Sequence, residues 1–163
     1  MMELERKVTI KRPVEEVFAY MSNAENDAKW RTNVKWIKRE GGGSHSEVGA
    51  VYLQKIKGPF GGFRSDLRYT EYEKDRRLSF ETIKGVVDPS ATIEFEPVDE
   101  NTSTVHFRWR WEPKGIGKLL APMLRKPIEG NMNASYDNLV RTLDAREEEQ
   151  AGAQPNSTMP PTA

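Results

Sequence analysis

Cysteine is missing from the chain. That excludes disulfides, thiol nucleophiles and cysteine-ligated metals, and it suits a reducing compartment. Histidine is scarce, with His45 in a Gly/Ser loop and His106 on an expected strand. Neither has a carboxylate partner close in sequence, so no triad and no catalytic residue is assigned. With no cluster at ligand spacing, no metal and no cofactor are expected. No apolar run nears the ~20 residues needed to cross a bilayer. Residues 1–7 lack the apolar core of a signal peptide, so a cytoplasmic location is expected. Net charge is lacking too: 25 Lys and Arg balance 25 Asp and Glu, which gives no general attraction for nucleic acid. The glycine clusters at 41–43 and 58–62 have neither a Walker nor a dinucleotide spacing and read as turns between strands.

What is present is aromatic mass and periodicity. Four Trp, six Phe and five Tyr are enough to build a core. Leu4 to Arg12 alternates as a first strand, and Pro13 ends it and opens a helix carrying Val14, Val17, Phe18 and Met21 on one side. A second short helix is expected from Ala24 to about Trp30. Strands follow at Val34 to Glu40, Val48 to Lys57, Phe63 to Glu73, Arg77 to Lys84, Ala91 to Pro97 and Thr104 to Glu112. The last has the clearest period-two pattern: Val105, Phe107, Trp109 and Trp111 on one face, His106, Arg108, Arg110 and Glu112 on the other. This splits the Arg-Trp-Arg-Trp run into core rings and solvated bases, which speaks against a nucleic-acid surface.

After Pro113 the pattern is helical. Gly115 to Leu124 reads as a lead-in that Pro122 and Pro127 interrupt. A long amphipathic helix then carries Ile128, Met132, Tyr136, Leu139, Val140 and Leu143 on one stripe and ends near Glu149. Residues 150–163 are small, polar and proline-containing, and a disordered tail is expected behind a single domain of residues 1–149. Seven strands without crossover helices make an antiparallel meander, not a parallel α/β sheet. Such a sheet must curl, and only the last helix is large enough to cover its apolar face. The fold class is therefore α+β: a curved sheet around one long helix, with two short helices between strands one and two. This wrap tends to leave an interior void.

The motifs Pro13-x-Glu15-x-Val17-Phe18 with Trp30 downstream, Thr70-Glu71-Tyr72-Glu73, Arg76-Arg77-Leu78-x-Phe80 and Ile93-x-Phe95-Glu96-Pro97 resemble the START-like (SRPBCC) superfamily. Within it the chain is most similar to the polyketide cyclase/dehydrase and lipid-transport group, over about Glu3 to Asp144. The resemblance implies a helix-grip fold with a cavity for a small hydrophobic molecule. Its register places Tyr52 and Gln54 inward on the third strand, and Phe63, Ser65, Leu67 and Tyr69 on the fourth. Thr82, Ile93, Phe95, Trp109 and Trp111 extend the wall, and Asn131, Met132 and Ser135 face it from the long helix.

Three functions stay open. The first is binding or carriage of a lipid-like or polycyclic aromatic ligand, for which apolar walls suffice. The second is a cyclase or dehydratase, which needs proton transfer by cavity Tyr, Ser or Glu groups, with Glu71 a candidate if it faces inward. The third is a protein-interaction module using outward apolar residues such as Val51 and Leu53. No convincing acid–base pair is visible, which favours binding.

Overall fold

The computed structural model describes residues 1–42, 47–85 and 87–153, leaving aside the side chains of residues 59 and 146–153. His45 and residues 154–163 lie outside the described part. Strand β1 (Met2–Ile10) leads into helix α1 (Val14–Ser22) and a 3-10 helix (Ala24–Lys29). Then come β2 (Val34–Arg39), β3 (Val51–Ile56), β4 (Phe63–Arg64), β5 (Asp66–Glu73), β6 (Arg77–Lys84), β7 (Ser90–Asp99), β8 (Thr102–Trp111) and α2 (Gly117–Ala153).

The path of the sheet is β1-β8-β7-β6-β5-β3-β2, all antiparallel, with β4 beside β3. The expected single strand over 63–73 is interrupted at Ser65, so β4 and β5 together fill one place in a seven-membered path. At the break the Asp66 carboxylate accepts the Gln54 amide at 3.2 Å and both Arg64 donors, at 3.0 and 2.8 Å. A side chain thus does part of the ladder's work, and Ser65, Asp66 and Leu67 are buried in succession. A second bulge, between Tyr69 and Glu71, adds a residue to β5 and turns its later side chains over.

Alternation along β8 holds. Val105 and Phe107 are buried and Trp109 is half-buried, while Arg110 is exposed and donates to Glu3 at 2.7 Å. The outer face is a lattice of ion pairs in which Glu94 takes Arg77 at 2.9 Å and Arg108 at 3.0 Å. His106 lies there too, 3.2 Å from Glu5, a partner supplied across strands. The arginines of this face are therefore already matched with carboxylates. Trp109→Ala should cost ~2–3 kcal/mol, somewhat below a fully buried aromatic, and Arg110→Ala should stay within ~0.5 kcal/mol. Chemical denaturation of the two variants checks this, and equal costs would reverse the assigned faces.

Helix α2 departs from expectation at its start. Pro122 and Pro127 lie inside one continuous helix rather than breaking it. Each ring removes one N–H but needs only the φ that a helix already has, and the surrounding backbone is exposed, so water takes the freed carbonyls. The same helix runs on to Ala153, past the expected end near Glu149. Its middle enters the core through Tyr136, Leu139 and Leu143. Tyr136 stacks on Phe107 with centroids 4.1 Å apart. Two apolar clusters result. One joins α1, β7, β8 and α2, and the other joins β2, β3 and β5.

Candidate functional site

Between the two clusters lies a cavity of about 360 Å³, bounded by residues of both. It exists because small side chains, Ala24, Ser65 and Ala91, stand among Trp30, Phe63, Phe80 and Trp109, so the wall does not close on itself as an ordinary core does. Gln54, Leu67, Tyr69 and Phe107 form its buried floor, while exposed Lys57, Pro127 and Asn131 mark its mouth.

Most of the expected wall borders this space: Gln54, Phe63, Ser65, Leu67 and Tyr69 from β3 to β5. Thr82, Ile93 and Trp109 join from β6 to β8, and Asn131, Met132 and Ser135 from α2. Three expected positions do not. Tyr52 is fully buried behind the Tyr69 ring, 5.4 Å away. Phe95 is capped by Phe18 of α1 at 5.1 Å. Trp111 sits past the end of the cavity beneath α2, where a side chain at Gly117 would meet its ring at 3.8 Å. Each has the correct face but is screened by another element. Glu71 is exposed on the outer face, where it accepts the Ser79 hydroxyl. The bulge before it puts it there, so it is no cavity acid. Val51 and Leu53 are only half-buried and face outward.

The polar end of the cavity comes from the 3-10 helix and the residues just after it. Asp27, inside the 3-10 helix, pairs at 3.3 Å with Arg31, two residues past its end, and Arg31 also donates to Gln54 Oε1 at 3.2 Å. Burial pushes the Asp27 carboxyl up to about 6, against the opposing pull of Arg31 and of the nearby Trp30 indole. That indole N–H is buried and closes no hydrogen bond of standard geometry. Tyr69 donates to the Ser22 carbonyl at 3.1 Å, and burial followed by the Asp27 charge raises its phenol well above the ordinary range. Burial raises Tyr136 as well. Both phenols therefore stay protonated, and Tyr69 serves as a donor, not a base.

The segment after the 3-10 helix is tied to α2 by hydrogen bonds. Ser135 Oγ accepts the Thr32 amide at 3.0 Å, the Thr32 hydroxyl donates to Asn131 Oδ1 at 3.1 Å, and Asn138 reaches the Trp30 carbonyl at 3.4 Å. Sequence reading missed Asp27 and Arg31. Their only signal is an i,i+4 acid–base spacing beside a Trp, which countless solvated helices share. Among the described residues no group of three His, Cys, Asp or Glu is placed to hold a metal ion, and no helix is long and apolar enough to cross a membrane.

Comparison with known proteins agrees with this geometry. The family model described as polyketide cyclase/dehydrase and lipid transport matches residues 1–144. No curated protein matches the chain. Among solved structures, the chain is similar to TTHA0849 from Thermus thermophilus, with TM-score 0.73 and 17% identity over 89% of this chain and 99% of that one. It is similar to the ZhuI aromatase/cyclase from Streptomyces sp. R1128, with TM-score 0.73 and 12% identity over 89% and 94%. The di-domain ARO/CYC BexL from the BE-7585A biosynthetic pathway aligns with TM-score 0.63 and 17% identity, over 85% of this chain and 46% of BexL. At these identities the likeness is one of fold.

Proposed function

The chain belongs to the polyketide cyclase/dehydrase and lipid-transport family, and from that premise we propose that it binds and carries a small hydrophobic molecule, lipid-like or polycyclic aromatic. The cavity carries this reading. Its volume of about 360 Å³ falls in the range of ordinary small-molecule sites, and its mostly apolar wall with a few convergent polar groups has their composition. Affinity comes from burying the ligand's apolar surface. Orientation comes from one polar end, Asp27, Arg31 and Gln54.

A second reading is favoured by one observation. Asp27 is an acid held near 6 on the cavity wall, close to the pH at which a general acid or base works best. A cyclase or dehydratase would use it to move a proton on a folded chain held in the cavity, with Arg31 bearing negative charge on a carbonyl oxygen.

The test is direct. The purified protein should release a small apolar compound into a native mass spectrum, and a stripped sample should bind an apolar fluorophore at one site in the micromolar range. A folded protein that takes up neither would overturn the carrier reading. Conversion of a polyketide-like compound, lost in Asp27→Asn, would move the assignment to the enzyme.

A further inference from the structure

The start of α2 is exposed in a way the rest of the molecule is not. Ile116 is 74% exposed, Leu119 79% and Met123 74%, and Leu120 and Leu124 are exposed beside them. At ~100° per residue Leu119, Leu120, Met123 and Leu124 share one flank of the helix, with Ile116 in the turn just before it. Lys126 stands at the edge of that flank beside Leu119, and Lys118 and Arg125 fall on the other side. With Lys114 they make a basic segment, and no carboxylate occurs between Glu112 and Glu129. On a chain of zero net charge this is a local excess.

A second apolar group stands on the opposite side of the mouth. Phe60 is fully exposed at the tip of the β3–β4 loop, in the left-handed region at φ 55°. The tip is tightly held, for a Cβ at Gly62 would stand 2.1 Å from the Ile56 carbonyl oxygen, and Lys35 Nζ donates to the Gly61 carbonyl at 2.8 Å. A strained aromatic displayed on a rigid loop points to a contact made elsewhere. Lys57, at the root of this loop, and Pro127, just past the apolar helix segment, both border the cavity mouth. The two apolar groups thus flank the same opening.

We propose that this rim is a docking surface for an anionic lipid membrane, across which the cavity exchanges its ligand. The proposal rests on the carrier reading for its purpose but not for its test. An apolar flank with basic side chains at its edge and behind it suits a helix lying in a bilayer interface, with apolar side chains below the headgroups and long basic side chains reaching the phosphates. A second copy fits less well, because a symmetric contact through this flank would bring in Lys126, beside Leu119, from both copies, with no acid between Glu112 and Glu129 to neutralise it.

Co-sedimentation with vesicles decides it. The protein should pellet with phosphatidylcholine vesicles containing phosphatidylglycerol, stay in the supernatant with phosphatidylcholine alone, and be released at high salt. Leu119→Glu/Met123→Glu should weaken the association at least about tenfold, and Lys118→Glu/Lys126→Glu comparably. Unchanged melting temperatures show that these exposed positions leave the fold intact. A wild type that ignores anionic vesicles overturns the proposal. So does a dimer in light scattering that the Leu119/Met123 variant turns into monomer, for the face would then be a contact between copies. Ser65→Trp, which fills the cavity, should pellet like the wild type. A protein that pellets but takes up no apolar probe keeps the rim and loses the carrier reading, and one that takes up probe but ignores vesicles does the reverse.

Discussion

Replacing Ser65 with tryptophan should weaken binding of an apolar probe by at least about tenfold while leaving a folded protein. Ser65 lies at the break between β4 and β5, buried, with its side chain on the cavity wall. It stands beside the turn after β6, where a Cβ at Gly85 would lie 3.5 Å from its hydroxyl. A large ring placed here has open volume to enter, so it displaces ligand instead of neighbours. Had the region been packed at ordinary core density, the same change would destabilise by ~1–3 kcal/mol or more. Titration and melting measured on one sample separate the cases. A variant that folds and still binds the probe with wild-type affinity would place the binding site elsewhere.

The second large effect is on the pH dependence of stability. Asp27 ordinarily ionises near 3.8 and is held near 6 in the fold, mainly by burial. Between those values the folded state keeps a proton that the unfolded state has released, so stability falls as pH rises from about 4 to 6 and levels off above. A displacement of that size corresponds to ~2–3 kcal/mol. Asp27→Asn should remove that slope, because an amide keeps an oxygen for Arg31 and has no proton to lose. Loss of the ion pair imposes its own pH-independent cost, so the diagnostic is the slope and not the absolute stability. Denaturant unfolding from pH 4 to 8 measures it, and the difference between the two proteins cancels carboxylates and histidines common to both. Parallel curves would mean that Asp27 titrates normally. Were the protein a cyclase, the same group would give its rate a limb near pH 6.

How much of this was legible beforehand differs from element to element. The β8 alternation and the Tyr136-Leu139-Leu143 stripe could be read directly, since each repeats a period along one element. The wall positions Gln54, Leu67 and Met132 were expected from the register of the motifs that carry the resemblance, and all three border the cavity. Glu71 did not, because one extra residue in β5 reverses every face beyond it, and nothing in Tyr69-Thr70-Glu71-Tyr72 announces a bulge. Tyr52, Phe95 and Trp111 face the predicted way yet are covered by Tyr69, α1 and α2, which lie far off in sequence or on other elements.

The sequence by itself determined the order of elements, the antiparallel character of the sheet, the helix that fills it and the kind of pocket that such a wrap leaves. These follow from periodicity and from missing crossovers, and both are local properties of the chain. Only the tertiary structure decided that Asp27 and Arg31 meet at the cavity, where burial changes their chemistry. It alone decided that the apolar flank at 116–124 goes uncovered. Whether a hydrophobic stripe is buried depends on a partner surface elsewhere in the fold, and a stripe reads the same whether that partner is present or absent.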